Sequence, residues 1–87
     1  MAYTYMLRCS DNTLYTGWTK DIERRLLEHN RGKASKYTRV RLPVELAYLE
    51  EYESDSDARK REVQIKKLTR AKKLSLIEGC ESDIDKG

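Results

Sequence analysis

The sequence contains few of the residues from which disulfide-rich and metal-cluster domains are built. Among 87 residues there are two cysteines, Cys9 and Cys80, and a single histidine. Two cysteines this far apart form neither a disulfide framework nor a Cys-x-x-Cys metal motif. The sequence therefore does not predict a disulfide scaffold or a cysteine-based metal site, and we expect both thiols to be reduced.

Long apolar runs, internal repeats and low-complexity segments are also absent from the sequence. No stretch resembles a signal peptide or approaches the length of a membrane span. We therefore expect a soluble, cytoplasmic protein with no membrane association. A chain of 87 residues is long enough for one small domain. We predict that domain over residues 1–79, followed by a polar, acidic and disordered tail over residues 80–87.

Charge is abundant but unevenly distributed along the chain. Charged residues make up 38% of the sequence, and the net charge is only +3. No acidic residue occurs between positions 29 and 44, where five basic residues cluster: Arg31, Lys33, Lys36, Arg39 and Arg41. Such a cluster is typical of a surface that binds a polyanion, and an ordinary solvated loop is the alternative.

The order of turn signals and apolar patterns predicts a small α+β domain. Strand-forming residues predict three strands, over residues 3–9, 13–18 and 44–52. The short turn between the first two predicts that they form an antiparallel hairpin. Capping residues and a helical period predict three helices, over roughly residues 21–31, 55–68 and 70–79. We interpret residues 33–43 as a basic loop. The predicted order is β-β-α-β-α-α, with helices packed on a three-stranded, mainly antiparallel sheet.

Three titratable residues lie where these helices are expected to contact the sheet. In the first helix, Arg25 and His29 share a stripe with Ile22 and Leu26. In the second, Glu62 interrupts an apolar sector. Polar groups on a packing face are costly unless they have partners, so these three residues indicate a site.

The residue types suit the hydrolysis of a phosphodiester, although their spacing alone is no metal motif. One carboxylate, such as Glu62, suffices for Mg²⁺, which keeps most of its waters and binds substrate phosphate. The guanidinium of Arg25 can fork onto phosphate oxygens. Tyr5, Tyr15 or His29 could relay a proton from water.

The order of these residues resembles the GIY-YIG nuclease domain, above all its small stand-alone bacterial members. Tyr3-Thr4-Tyr5 stands in place of the first motif and Tyr15-Thr16-Gly17 in place of the second. The similarity runs from about residue 2 to residue 77. The residues that match the family's site are Tyr5, Tyr15, Arg25, His29 and Glu62.

The resemblance implies a fold and a role for each of these residues. It implies a central three-stranded antiparallel sheet, with Tyr5 and Tyr15 on the catalytic surface and one of them or His29 as the base. It also implies that Arg25 contacts the scissile phosphate and that Glu62 is the single ligand of a divalent metal, Mg²⁺ or Mn²⁺. Many full-length members carry a further asparagine near the end of the domain, and this chain has none there.

On this basis we expect a metal-dependent DNA endonuclease that acts in repair or recombination. We expect the protein to act as a monomer, alone or with a protein partner of a repair complex. The residues expected to bind nucleic acid are Lys33, Lys36, Tyr37, Arg39 and Arg41. Two alternatives stay open: a nucleic-acid-binding module with weak or lost nuclease activity, and a docking module.

Overall fold

The computed structural model describes residues 1–79, which form three strands and four helices. The order is the predicted one, with one additional short helix before the third strand. The strands are β1 (Ala2–Arg8), β2 (Leu14–Thr19) and β3 (Glu45–Tyr52). The helices are α1 (Ile22–Asn30), α2 (Lys36–Arg39), α3 (Asp55–Lys66) and α4 (Arg70–Glu78). The predicted tail, residues 80–87, lies outside the described residues. No helix within residues 1–79 combines the length and the apolar character needed to cross a bilayer.

The sheet has the strand order β2-β1-β3, and both pairs are antiparallel. The prediction of a three-stranded antiparallel sheet with helices packed on it is therefore confirmed. Because side chains alternate along a strand, β1 has buried side chains on both faces of the sheet. Tyr5 and Leu7 pack on one face beneath Ile22 and Leu26 of α1. On the other face, the Thr4 hydroxyl donates to a backbone carbonyl of α3 at 2.7 Å.

The interpretation of residues 33–43 as a loop is wrong for one turn, because α2 lies within them. Ser35 explains that turn: its hydroxyl accepts hydrogen bonds from the backbone N–H groups of Tyr37 and Thr38, at 3.0 and 3.4 Å. A serine in this position is a normal helix N-cap. The turn directs the Thr38 side chain inward, where it is buried.

An ion pair fixes the orientation of α3 on the sheet. The guanidinium of Arg61 donates from Nε and Nη2 to the two carboxylate oxygens of Glu50 on β3, at 2.9 and 3.1 Å. The hydroxyls of Tyr48 and Tyr52 donate to the same carboxylate. A two-point contact of this kind restricts rotation of the helix. The next residue on α3 is Glu62, so the contact also restricts where its carboxylate can lie.

Candidate active site

A buried chain of hydrogen bonds connects β1, α1 and α2. The hydroxyl of Tyr5 lies 2.9 Å from Nε2 of His29, and Nδ1 of His29 lies 2.8 Å from the hydroxyl oxygen of Thr38. The Thr38 hydroxyl donates its proton to the Ser35 carbonyl at 3.4 Å, so its oxygen accepts from Nδ1–H. This assignment leaves Nε2 unprotonated, and the Tyr5 hydroxyl donates to it.

Burial keeps both rings of this chain neutral. Removal from water, together with the positive charge of Arg25, lowers the pKa of His29 from 6.5 to about 4. Burial raises the pKa of Tyr5 above its usual value, as does neighbouring Tyr15, while Arg25 opposes the increase. At neutral pH the contact is therefore one between a phenol and a neutral imidazole.

The depressed pKa of His29 predicts a pH-dependent stability. Its contribution to the free energy of unfolding should be fully present above about pH 6.5 and should be lost as the pH falls toward 4, because the unfolded chain binds the proton more tightly. The loss should approach roughly 3 kcal/mol, at 1.36 kcal/mol for each pKa unit. Urea unfolding of wild type and His29→Gln between these pH values measures it, and the variant should lack this loss.

Nuclear magnetic resonance gives a direct check, because His29 is the chain's single histidine. Its ring protons should titrate with a midpoint far below that of a histidine peptide. A midpoint near 6.5 would contradict the buried, neutral state described above.

Gly17 on β2 allows the Tyr5 ring to reach its position. Tyr5 and Gly17 are paired across the two strands. A Cβ atom on Gly17 would lie 2.7 Å from the Tyr5 hydroxyl oxygen, 2.9 Å from Tyr5 Cζ and 3.2 Å from Tyr15 Cε2. These distances are shorter than van der Waals contact, so the absence of a side chain at this position makes room for both tyrosine rings.

Gly17→Ala should therefore destabilise the protein and disturb the site together. Forcing one methyl group into a well-packed region costs about 1–3 kcal/mol. We expect a decrease of that size in the free energy of unfolding, with a shift in the His29 ring resonances as the Tyr5 hydroxyl moves. Thermal or urea unfolding and a proton–nitrogen spectrum measure the two effects. An alanine variant with wild-type stability and an unchanged His29 signal would contradict this role of Gly17.

Tyr15 is the more accessible of the two predicted tyrosines. Tyr5 and His29 are each 1% exposed, whereas Tyr15 is half-buried and lines a surface cavity. The Tyr15 ring lies edge-on to His29, with 5.1 Å between ring centroids. It also stacks on Tyr37, at 6.0 Å. The structure thus brings Tyr5, Tyr15 and His29 together, with Tyr15 facing outward.

Arg25 lies beside this group with unused hydrogen-bonding capacity. Its Nη1 donates to Oε1 of Glu28 at 3.1 Å. Its Nε is buried and has no hydrogen-bond partner among the described residues. The side chain lines a cavity of about 250 Å³ between the end of β2 and α1. A buried N–H without a partner is unfavourable unless a ligand completes it, and an anion such as phosphate would do so.

Glu62 lies on α3 at the border of the buried face, which is formed by Ala58 and Ile65. Its side chain is 19% exposed, and Oε2 lies 3.2 Å from Nζ of Lys66. The carboxylate is close enough to Tyr5 to raise its pKa slightly. The sequence predicted that Glu62 interrupts the apolar sector of this helix, and the structure places its carboxylate at the rim of that sector.

The donor set near Glu62 determines what kind of metal site it could form. Residues 1–79 contain no group of three or more histidine, cysteine, aspartate or glutamate residues that could enclose a metal. A single carboxylate is enough for Mg²⁺, whose remaining coordination positions are filled by water and by substrate phosphate, but not for an ion that is coordinated by protein ligands alone. Glu62 is therefore suited to bind an ion of the Mg²⁺ type.

The predicted nucleic-acid-binding residues separate into two groups. Lys33, Lys36 and Arg39 are exposed and line a cavity of about 360 Å³. Arg41 is held in place, because its Nε pairs with Asp11 at 3.0 Å and its guanidinium lies 3.9 Å above the ring of Tyr37. We therefore infer that Arg41 positions Tyr37, while the first three residues are available to a ligand.

Two contacts of the site were not predicted from the sequence: the hydrogen bond of Thr38 to His29, and the stacking of Tyr37 on Tyr15. Thr38 lies among basic residues in the sequence, and its hydrogen bond to His29 requires the inward turn of α2. Ser35, as a recognisable N-cap residue, was the one local signal for that turn.

Comparison with known proteins shows which family and fold the chain resembles. The GIY-YIG catalytic domain model matches residues 1–75. A UPF0213 protein of Syntrophus aciditrophicus is 60% identical over 76 residues, which cover 86% of this chain and 87% of that protein. The UPF0213 protein SSP2268 of Staphylococcus saprophyticus is 51% identical over 75 residues, with 86% and 92% covered.

Two solution structures have the same fold. The UPF0213 protein of Bacillus halodurans superposes with a TM-score of 0.59 at 38% identity, covering 95% of this chain and 89% of that one. A protein of E. faecalis superposes with a TM-score of 0.59 at 43% identity, covering 88% and 82%. The order of the motifs, the sheet that carries them and these relatives agree: the chain belongs to the GIY-YIG nuclease family, within its group of small UPF0213 proteins.

Proposed function

We propose that the protein is a metal-dependent endonuclease that hydrolyses phosphodiester bonds in DNA. The observation that carries this proposal is the gathering of predicted site residues around one buried phenol. The Tyr5 hydroxyl lies 2.9 Å from Nε2 of His29, and the ring centroids of Tyr5 and Tyr15 lie 6.4 Å apart. Besides burial, the charges of Arg25 and Glu62 also act on the pKa of Tyr5. Titratable groups gathered in this way are typical of catalytic sites.

Tyr15 is the proposed general base. It is the partly exposed member of the aromatic group, whereas Tyr5 and His29 are buried and cannot touch a water molecule at the surface. A tyrosine accepts a proton as its phenolate, and nearby positive charge favours that form. Tyr5 and His29 are proposed as positioning residues, because His29 packs edge-on against the Tyr15 ring.

Arg25 is proposed to bind the oxygens of the scissile phosphate. Its Nε has no hydrogen-bond partner within residues 1–79, and its Nη1 contact with Glu28 fixes the plane of the guanidinium. Two donors in one plane match two phosphate oxygens, and they stabilise the charge that develops there during hydrolysis.

Glu62 would hold the divalent metal. When bound, a metal at this position supplies charge stabilisation for phosphate oxygens and for the departing alkoxide. Glu62 supplies one negative charge, and the ion pair between Arg61 and Glu50 holds the helix that presents it.

The exposed cations of the basic segment are proposed to bind the DNA backbone. Lys33, Lys36 and Arg39 surround one cavity, and no acidic side chain contributes to its lining. Phosphate contacts of this kind supply affinity without sequence preference. A role in repair or recombination, with or without a protein partner, is part of the same proposal.

The test is an incubation of the purified protein with labelled single-stranded, duplex and branched DNA. Cleavage should require Mg²⁺ or Mn²⁺, should stop with EDTA, and should fall strongly in Tyr15→Phe. DNA binding without cleavage under every metal condition would instead favour the binding-module alternative. Absence of both binding and cleavage would contradict the proposal and leave the docking alternative.

A further inference from the structure

A cavity of about 230 Å³ lies beside the edge strand β2, and no role has been given to most of its lining. Tyr15 and Tyr37 form one wall, and lysines of α3 and α4 form the other. The residues that line it are Leu14, Tyr15, Thr16, Tyr37, Lys66 and Lys73. Two cations with no acid among the lining residues favour an anion as occupant.

Thr16 contributes a polar group that lacks a partner. The residue is 4% exposed, and its hydroxyl oxygen is buried with no hydrogen bond among the described residues. A buried hydroxyl without a partner costs about 1–3 kcal/mol relative to a satisfied one. No side chain of residues 1–79 supplies this bond, and Thr16 lines the cavity, so a ligand seated there could supply it.

Lys66 and Lys73 connect the cavity to the candidate active site and to the sheet. Nζ of Lys66 lies 3.2 Å from the carboxylate of Glu62, so the cavity adjoins the proposed metal ligand. Lys73 lines the cavity together with residues of β2. Its helix, α4, is bound to the turn before that strand, because Nη2 of Arg70 donates to the Asn12 carbonyl at 2.8 Å.

We propose that this cavity is a second phosphate-binding site, which holds a backbone phosphate of the DNA next to the scissile one. The inference rests on the proposed nuclease function and extends it to residues outside the predicted site. Lys66 and Lys73 would bind the phosphate oxygens, and the Thr16 hydroxyl would donate to one of them.

The size of the cavity supports a chain phosphate over a separate small molecule. Sites that enclose drug-sized ligands measure about 300–1,000 Å³, and this cavity is smaller, at about 230 Å³. It can hold a phosphate group and part of its sugar beside the ring of Tyr37. The substrate strand would then run past Tyr15, with Arg25 of α1 and Lys66 of α3 contacting successive phosphates.

The test compares Lys73→Ala with Lys72→Ala, a neighbouring and exposed lysine of α4 that does not line the cavity. Both changes remove one positive charge from the same helix. Binding of short fluorescent single-stranded and duplex oligonucleotides is measured in EDTA over a series of salt concentrations. The slope of log K against log salt is negative, and Lys73→Ala should make it less negative by about 0.9 on duplex DNA or about 0.7 on single strands, whereas Lys72→Ala should change it far less.

Thr16→Val is the second variant, because valine keeps the shape and removes the hydroxyl. No hydrogen bond within the described chain is lost, so the free energy of unfolding should stay the same or rise, while oligonucleotide affinity falls about tenfold. Equal slopes for the two lysine variants, or unchanged affinity in Thr16→Val, would overturn the second site. If wild type cuts DNA and the variants bind oligonucleotides as wild type does, only the proposal of a second phosphate-binding site is contradicted. If wild type neither binds nor cuts, the proposed function fails.

Discussion

Replacing Glu62 with alanine is expected to reduce metal-dependent DNA cleavage by at least about a hundredfold while the fold stays intact. A bound divalent cation supplies several kcal/mol of charge stabilisation, and each 1.4 kcal/mol corresponds to about a factor of ten in rate. Residues 1–79 contain no cluster of three or more possible metal ligands, so the loss of Glu62 is not compensated by such a cluster. Its partner Lys66 has a side chain that is 54% exposed, and an ion pair of that kind contributes little to stability.

The measurement is the single-turnover cleavage rate over a range of Mg²⁺ and Mn²⁺ concentrations, together with urea unfolding. Glu62→Gln keeps the shape and removes the charge, so it should be nearly as inactive as the alanine variant. Glu53→Ala removes an exposed glutamate just before α3 and serves as the control, with wild-type rates expected. A Glu62→Ala protein that cleaves as fast as wild type would exclude Glu62 as the metal ligand.

Much of the fold could be predicted because its signals are local. Ile22 and Leu26 recur at a helical spacing, and they do pack on the sheet face that carries Tyr5. Ser54 caps α3 with a hydrogen bond from the Asp57 N–H at 3.1 Å, as its position before two acidic residues indicated. Periodicity and capping act within a few residues, so the sequence displays them directly.

Other features depend on contacts between distant segments, and the sequence does not display them. Arg41 reads as one more cation of a basic loop, but it pairs with Asp11, which lies 30 positions earlier. Tyr5 and Tyr15 read as equivalent residues on neighbouring strands, and their side chains do share one face of the sheet. Tyr5 is nevertheless buried completely, because it lies on the central strand opposite Gly17, whereas Tyr15 lies on the edge strand. Which tyrosine is accessible to solvent is therefore a property of the packing and not of the motif.

Replacing Arg25 with alanine is expected to lower the turnover rate about a hundredfold and to weaken DNA binding much less. Removing one preorganised donor at a developing charge costs roughly 3 kcal/mol, and this contact acts mainly as that charge develops. Arg25→Lys should restore little, because an ammonium cannot donate in the planar fork that Nε and the terminal nitrogens provide.

The neighbouring residue Arg24 gives a matched control, because both arginines pair with the same carboxylate. Arg24 contacts Glu28 Oε2 at 3.2 Å with a side chain that is 76% exposed, whereas Arg25 contacts Oε1 at 3.1 Å with a side chain that is 39% exposed. Arg24→Ala removes an exposed ion pair and should leave turnover close to wild type.

The His29 resonance separates an electrostatic role of Arg25 from a purely structural one. Because the positive charge of Arg25 lowers the pKa of His29, the midpoint should rise in Arg25→Ala and stay unchanged in Arg24→Ala. Binding of a phosphate at Arg25 would partly cancel the same charge, so an oligonucleotide should also raise the His29 midpoint in wild type but not in Arg25→Ala. If Arg25→Ala lost binding and turnover in equal proportion, with no change at His29, Arg25 would be a backbone anchor, and the charge at the scissile phosphate would have to be stabilised by another group.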